Sequence, residues 1–244
     1  MMTEASKRLV VITGANSGVG LQVAKTFAAH GYPLLLLDLK TDVVEPLALA
    51  NSLSRQVDIT NLEALEKAVD EAEQLFGPVD CLINNAGIMY MDQVTEQDPQ
   101  QWQLMFNVNV MGLMNGIAAV VNKMKNNGRG TIINMGSLGG IKLIENQTVY
   151  CATKHAVHGV SEGLRQELAL ANVRVTTIAP GAIETNLLAL TEKREFADVQ
   201  DNWAKQIGGI LVSEDIANTM LFVYQQPQNV CLREVVLAPT KQVF

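Results

Sequence analysis

The sequence predicts an α/β fold built on a parallel sheet, on three observations. Leu9-Val10-Val11-Ile12 runs into Thr13-Gly14-Ala15-Asn16-Ser17-Gly18-Val19-Gly20 and then into the helix-period segment 21–29, which is strand, tight turn and helix start. Pro33-Leu34-Leu35-Leu36-Leu37-Asp38 is a continuous apolar run, the pattern of a strand buried on both faces. Strand and helix patterns then alternate to the end of the chain.

Each spaced glycine of the first turn has a mechanical task. One permits the sharp turn, one lets the backbone approach a diphosphate, and one lets helix and strand pack closely. The unpaired N–H groups of the helix start then face an anion. Asp38 stands 24 residues beyond Gly14, where a dinucleotide site needs an acid for the adenosine ribose hydroxyls. A carboxylate there repels a 2′-phosphate, and no Lys or Arg lies between Gly14 and Gly20, so NAD is favoured over NADP. Lys40, two residues on, keeps NADP as the alternative.

Residues 55–60 follow as a short third strand, and 61–76 as an amphipathic helix capped near Thr60 or Asn61 and stopped by Gly77-Pro78. Asp58 and Ile59, at that strand's carboxyl end, are candidates for the adenine pocket; a capping role for Asp58 fits the spacing equally well. Residues 79–83 make a fourth strand running into Asn84-Asn85-Ala86-Gly87, at the sheet edge where α/β folds bind ligands. The long helical region 99–125 is interrupted by Asn107, Asn109 and Gly112, poor mid-helix residues; such an interruption is often functional, with a tolerated local distortion as the alternative. A fifth strand, 130–135, leads into Gly136-Ser137-Leu138-Gly139-Gly140. Helix runs from Tyr150 to about Ala171, and 173–178 is a sixth strand ending at Pro180-Gly181. A polar insertion over 187–210, a helix over 213–225 capped by Ser213, and a seventh strand over 234–237 complete the chain.

Composition restricts the function. The 244 residues suit one domain with a sizeable core; 48% are hydrophobic and the mean hydropathy is +0.14, the composition of a packed globule whose surface is partly covered by other subunits. Eighteen basic residues against 25 acidic ones give a net charge of −7, without a basic run, which argues against nucleic acid and anionic membrane as partners. The first residues lack a signal-peptide pattern, and no run is expected to reach membrane-spanning length. Cys81, Cys151 and Cys231 are odd in number and widely spaced, which speaks against a disulfide framework or metal site and for a reducing, cytoplasmic location.

The chemistry centres on Tyr150-Cys151-Ala152-Thr153-Lys154. Positions i and i+4 share a helix face, so an ammonium stands beside a phenol. A free phenol titrates at about 10, and a fixed positive charge lowers that value and makes it an acid–base group. Ser137 can hydrogen-bond the same substrate oxygen. Cys151 is read as a packed thiol, and His155 and His158, without an acidic partner nearby in sequence, as surface or interface residues. Met89, Met91 and Met135 are core filler or a substrate wall, and Glu145, Asn146 and Gln147 are solvated loop residues of which one could touch substrate.

Together the glycine turn, Asn84-Asn85-Ala86-Gly87, Asn109-Val110-Met111-Gly112, Ser137, Tyr150-x-x-x-Lys154 and Pro180-Gly181-Ala182-Ile183-Glu184-Thr185 resemble, in order and spacing, the compact short-chain dehydrogenase/reductase family. The resemblance covers essentially the whole chain. It implies a doubly wound, three-layer Rossmann-type fold, a parallel sheet of seven strands with three helices on each face, forming a homodimer or homotetramer. It implies that Tyr150 is the acid/base, that Lys154 lowers its pKa and binds nicotinamide-ribose hydroxyls, that Ser137 orients the substrate oxygen, and that Asn109 holds a water in a proton relay. Gly14, Asn16, Ser17, Gly18, Val19, Gly20, Asp38, Asp58, Ile59, Asn85, Ala86, Gly87, Pro180, Gly181, Ile183 and Thr185 would bind the cofactor, with Ile183 and Thr185 at the carboxamide. Residues 186–212 would form a substrate lid. The implied activity is NAD(P)-dependent interconversion of an alcohol and a ketone or aldehyde; the alternatives are reduction of β-ketoacyl groups on acyl carrier protein and a catalytically silent nicotinamide sensor. The ending 232–242 loosely resembles relatives acting on small hydroxy acids or aldehydes. Gly136 departs from the many relatives that carry a second serine there.

Overall fold

The computed structural model describes residues 7–184, 187, 202–206 and 208–243. Seven strands, β1 (Leu9–Thr13), β2 (Leu34–Asp38), β3 (Ser52–Gln56), β4 (Val79–Asn84), β5 (Gly130–Met135), β6 (Val173–Pro180) and β7 (Glu234–Leu237), form one sheet. Its order is β3-β2-β1-β4-β5-β6-β7 and every pairing is parallel. Strand order reverses between β1 and β4, so the carboxyl ends of these strands diverge and open a crevice, the ligand position of such sheets.

The continuous apolar runs are explained by two cores, one on each face. Val11, Leu35, Leu37, Leu82, Ile132 and Val175 point to the first, beneath α2 (Leu62–Phe76), α4 (Leu113–Asn126) and α5 (Thr148–Leu168). Their strand neighbours Val10, Ile12, Leu34, Leu36, Ile83, Ile133 and Ile178 point to the second, beneath α1 (Gly18–Ala29) and α6 (Ser213–Gln225). On this second face, among the described residues, Val44 and Leu49 of the β2–β3 connection pack where three helices were expected.

Several boundaries differ from expectation for local reasons. β3 lies earlier than residues 55–60, pairing Leu34 with Ser52 through Asp38 with Gln56. The later residues leave the sheet because Asp58 Oδ1 accepts both the N–H and the O–H of Thr60, at 2.9 and 2.8 Å, a local turn that competes with the ladder. Asn61 is the cap of α2, accepting the Ala64 N–H. β6 runs to Pro180 because β7 pairs with it to Leu237. Ser213 is the first residue of α6 and not its cap; Asp215 reaches back to accept the Val212 N–H at 2.9 Å.

The interrupted helix is the most informative element. α3 (Pro99–Phe106) and α4 are joined by a π-helical segment, Asn107–Gly112, in place of a break. Gly112 is required there, since a Cβ would stand 2.4 Å from Ile59 Cδ1. Taken as one rod, Pro99–Asn126 is 28 residues and apolar enough to cross a membrane, contrary to the expectation that no run reaches that length. Its Met105, Leu113, Ile117, Val120 and Met124 are instead buried within the fold.

Candidate active site

The carboxyl ends of β1, β2, β4, β5 and β6 line a cleft of about 660 Å³. At its centre is the glycine turn. Gly14 has φ +68°, and a Cβ on it would come within 2.9 Å of Ala86 Cα. A Cβ on Gly20 would stand 2.0 Å from the Gly14 carbonyl oxygen, so that glycine lets helix and turn pack. Thr13 Oγ1 accepts the N–H groups of Asn85 and Ala86, each at 3.1 Å, and Asn85 Nδ2 donates to the carbonyls of Thr13 and Gly14. Two strand ends are thereby locked into one wall. Ser17 makes no side-chain cap bond to α1, which leaves the first-turn amides of Gly18 and Val19, both at the cleft, for an outside acceptor.

One end of the cleft is walled by Asp38, Leu39, Val57, Asp58 and Ile59. Asp38 accepts the Asn16 N–H at 3.0 Å and the Lys40 N–H at 3.3 Å. The other end holds Ser137, Tyr150 and Lys154, with Gly87, Met89, Met91, Met135, Ile144 and Leu187 around them. Tyr150 and Lys154 are brought into the cleft from α5, where both are buried. Burial pushes the Tyr150 phenol up to about 12, its hydrogen bond with the Ser137 side chain working the other way. Burial likewise pushes the Lys154 ammonium down to about 8. Lys154 Nζ donates to the Met135 carbonyl at 2.8 Å and stands 5.7 Å from the Tyr150 ring centre. Burial, and not the neighbouring ammonium, sets the direction of the Tyr150 shift in the open cleft.

Asn109 sits in the π segment, 2% exposed, and grips the strand β4 loop. Its Oδ1 accepts the Ile88 N–H at 2.8 Å, and its Nδ2 donates to the Ile88 carbonyl at 2.9 Å and to Thr153 Oγ1 at 3.1 Å. Thr153 precedes Lys154, so this amide joins the Gly87 wall to the helix that carries Tyr150 and Lys154. Pro180, Gly181 and Ile183 line the cleft. Asn16 and Gly20 are held behind the wall. Thr185 and most of the lid region 186–212 lie outside the described residues.

Gly136 is filled by a partner invisible in local sequence. A Cβ there would meet His158 Nε2 at 2.6 Å and Thr177 Cγ2 at 2.7 Å. His158 finds its acidic neighbour far off in sequence: its Nδ1 lies 2.7 Å from Glu234 Oε1, contributed by β7. Burial lowers the His158 pKa while Glu234 pulls it upward. Glu145, Asn146 and Gln147 all reach the rim. Trp203 and Gln242 also line the cleft and were missed. Gln242 Oε1 accepts the Ala182 N–H at 3.0 Å and fills the space that a Gly181 side chain would need; only the adjacency of the last turn to Pro180-Gly181 reveals it.

The model of the short chain dehydrogenase family matches residues 8–195. The chain is 34% identical over 245 residues to an uncharacterized oxidoreductase of Staphylococcus saprophyticus, covering 98% of this chain and 100% of that protein. Among solved structures, the closed form of serine dehydrogenase complexed with NADP+ is similar at a TM-score of 0.90 and 27% identity, with 97% and 96% of the two chains covered. The 3-ketoacyl-(acyl-carrier-protein) reductase of Brucella melitensis, complexed with NADH, is similar at 0.86 and 28% identity over 98% and 100%. The chain belongs to the short chain dehydrogenase family and is an oxidoreductase with a Rossmann-type fold.

Proposed function

We propose that this oxidoreductase interconverts an alcohol and a ketone or aldehyde with NAD(H), Tyr150 serving as acid/base. The observation that carries the proposal is the hydrogen-bonded Ser137–Tyr150 pair at the wall of a cleft that continues past Lys154 to the glycine turn. The residues suit a nicotinamide dinucleotide: Gly14, Ser17, Gly18 and Val19 at the diphosphate, Asp38 at the adenosine ribose, Val57, Asp58 and Ile59 at adenine, and Ala86, Gly87, Lys154, Pro180, Gly181 and Ile183 toward nicotinamide. A bound NADH supplies the hydride. Two acids and no Lys or Arg line the adenosine end among the described residues, which favours NAD over NADP.

The protein's own part is proton transfer and positioning. With its pKa near 12, Tyr150 holds its proton at neutral pH and is poised to give it from Oη to the oxygen of a carbonyl gaining negative charge. Ser137 Oγ–H donates to the same oxygen and fixes its position. Running the reaction toward oxidation needs the phenolate, which the Lys154 ammonium stabilises. Met89, Met91, Ile144 and Leu187 give this pair an apolar surround.

The similarity to a 3-ketoacyl reductase supports a second reading, reduction of carrier-bound acyl groups. The rim counts against it: Glu145 is its charged residue, and Lys154 is the single cation lining the cleft among the described residues. A silent sensor is disfavoured by the complete Asn109, Ser137, Tyr150, Lys154 set. The working unit we propose is one domain with a lid at 186–212, acting on small molecules in the cytoplasm as a homodimer or homotetramer.

The test is NADH oxidation with a panel of small ketones and aldehydes, beside the Tyr150→Phe variant. Loss of turnover by about 10²–10⁴-fold with NADH affinity unchanged is expected; retained turnover removes Tyr150 from the mechanism.

A further inference from the structure

Asn16 belongs to the glycine turn, yet its side chain is absent from the cleft lining and engaged elsewhere. Its Oδ1 accepts the N–H groups of Val43 and Val44, at 2.9 and 2.8 Å, and its Nδ2 donates to Asp42 Oδ1 at 2.8 Å. Its backbone N–H donates to Asp38 Oδ2 at 3.0 Å. One residue, 8% exposed, therefore holds the carboxylate that ends β2 and the next one along the chain. Val44 is buried in the core beneath, so the segment is anchored from below as well.

The arrangement is specific in its chemistry. Both oxygen lone-pair directions of the amide are taken by backbone donors, so the amide orientation is fixed and its N–H must point at a carboxylate. Asp42 is exposed, and Asp38 is half-buried at the adenosine end of the cleft. Asp38 thus lines the cleft with Asp42 held behind it through Asn16, and no Lys or Arg lines this end of the cleft among the described residues. Lys40, the sequence's candidate for a phosphate contact, has an exposed position, and its backbone N–H is given to Asp38.

We infer that Asn16 is a positioning residue that locks Asp42 beside Asp38 as a paired acidic edge, selecting a dinucleotide with free adenosine-ribose hydroxyls against one carrying a 2′-phosphate. This rests on the dinucleotide reading of the cleft. Asp38 meets the ribose, while Asp42 acts through charge and Asn16 acts through Asp42. Asp42→Asn keeps an oxygen for the Asn16 N–H and removes only the charge.

The experiment is fluorescence titration of the purified full chain with NADH and with NADPH, for the parent, Asp42→Asn and Asn16→Ala, at low and at high salt. The parent is expected to bind NADH at least tenfold tighter. Asp42→Asn should tighten NADPH by about fivefold, leave NADH within about twofold, and lose most of that gain at 1 M salt, where charges are screened beyond about 3 Å. Asn16→Ala should weaken NADH and narrow the ratio. A parent that binds neither cofactor defeats the dinucleotide reading itself. A parent that binds both equally, or an Asp42→Asn ratio unchanged at low salt, overturns the acidic edge while leaving that reading intact. Should Asn16→Ala fail to fold, Asp42→Asn, altering an exposed side chain, decides alone.

Discussion

Lys154 shows how a single residue sets function against stability. Its ammonium is buried, and its pKa falls from 10.5 to about 8. Because the folded state binds the proton less tightly than the unfolded chain, the charge opposes folding below about pH 8. That opposition fades as pH rises from about 8 through 10.5, where both states become neutral. The full cost is about 3 kcal/mol, partly offset by the Met135 hydrogen bond, worth about 1–3 kcal/mol. Lys154→Met should therefore be inactive yet more stable at pH 7 by about 1 kcal/mol, and the gain should vanish by pH 10.5. Urea unfolding at the two pH values checks this; an equal difference at both would show that the ammonium is not desolvated. That Tyr150 and Lys154 enter one cleft was legible in the sequence because i, i+4 spacing dictates a shared helix face. The direction of the Tyr150 shift was not, since burial depends on Met89, Met105 and other residues that only the fold brings against the ring.

Elements were legible where one physical rule decided them, and displaced where two competed. β5 and β7 fall on the expected residues because each is a short β-branched run with no local side-chain partner, among the described residues, competing for its ladder. β3 slid because Asp58 offers the backbone a local partner that no strand pattern reveals. The loop after β5 is a further case. Gly136 was visible as a departure from the serine of relatives, but its explanation comes from α5 and β7, through His158 and Glu234. The imidazole occupies the volume that a serine side chain would take, and Thr177 closes the other side. Gly136→Ser should accordingly cost about 1–3 kcal/mol, the usual penalty of overpacking. Adding His158→Ala should recover much of it, so the double variant is more stable than the sum of the two single losses. A double-mutant cycle on unfolding free energies measures this coupling, and strict additivity would mean that the ring is not what excludes the side chain.

At the scale of the whole molecule, the sheet faces two independent cores while the cleft touches the carboxyl ends of five strands and the start of α1. Tightening these ends should therefore brace both cores together. The doubly wound layout was readable from strand and helix alternation, whereas Gln242 and Trp203, distant in sequence, became cleft residues only through topology. A ligand bound across the switch between β1 and β4 stabilises the native state by mass action, about 2.7 kcal/mol at one hundred times its Kd. For a chain of this length that corresponds to roughly 5–10 °C in Tm. NADH at that excess should raise Tm by this amount in a single transition, since wall residues come from strands feeding both cores. NADPH at the same concentration should raise it less, because Asp38 and the Asn16-held Asp42 oppose its extra phosphate. Two separated transitions, with only one moved by NADH, would show that the cleft braces one face alone; an unmoved Tm would remove the dinucleotide from the cleft.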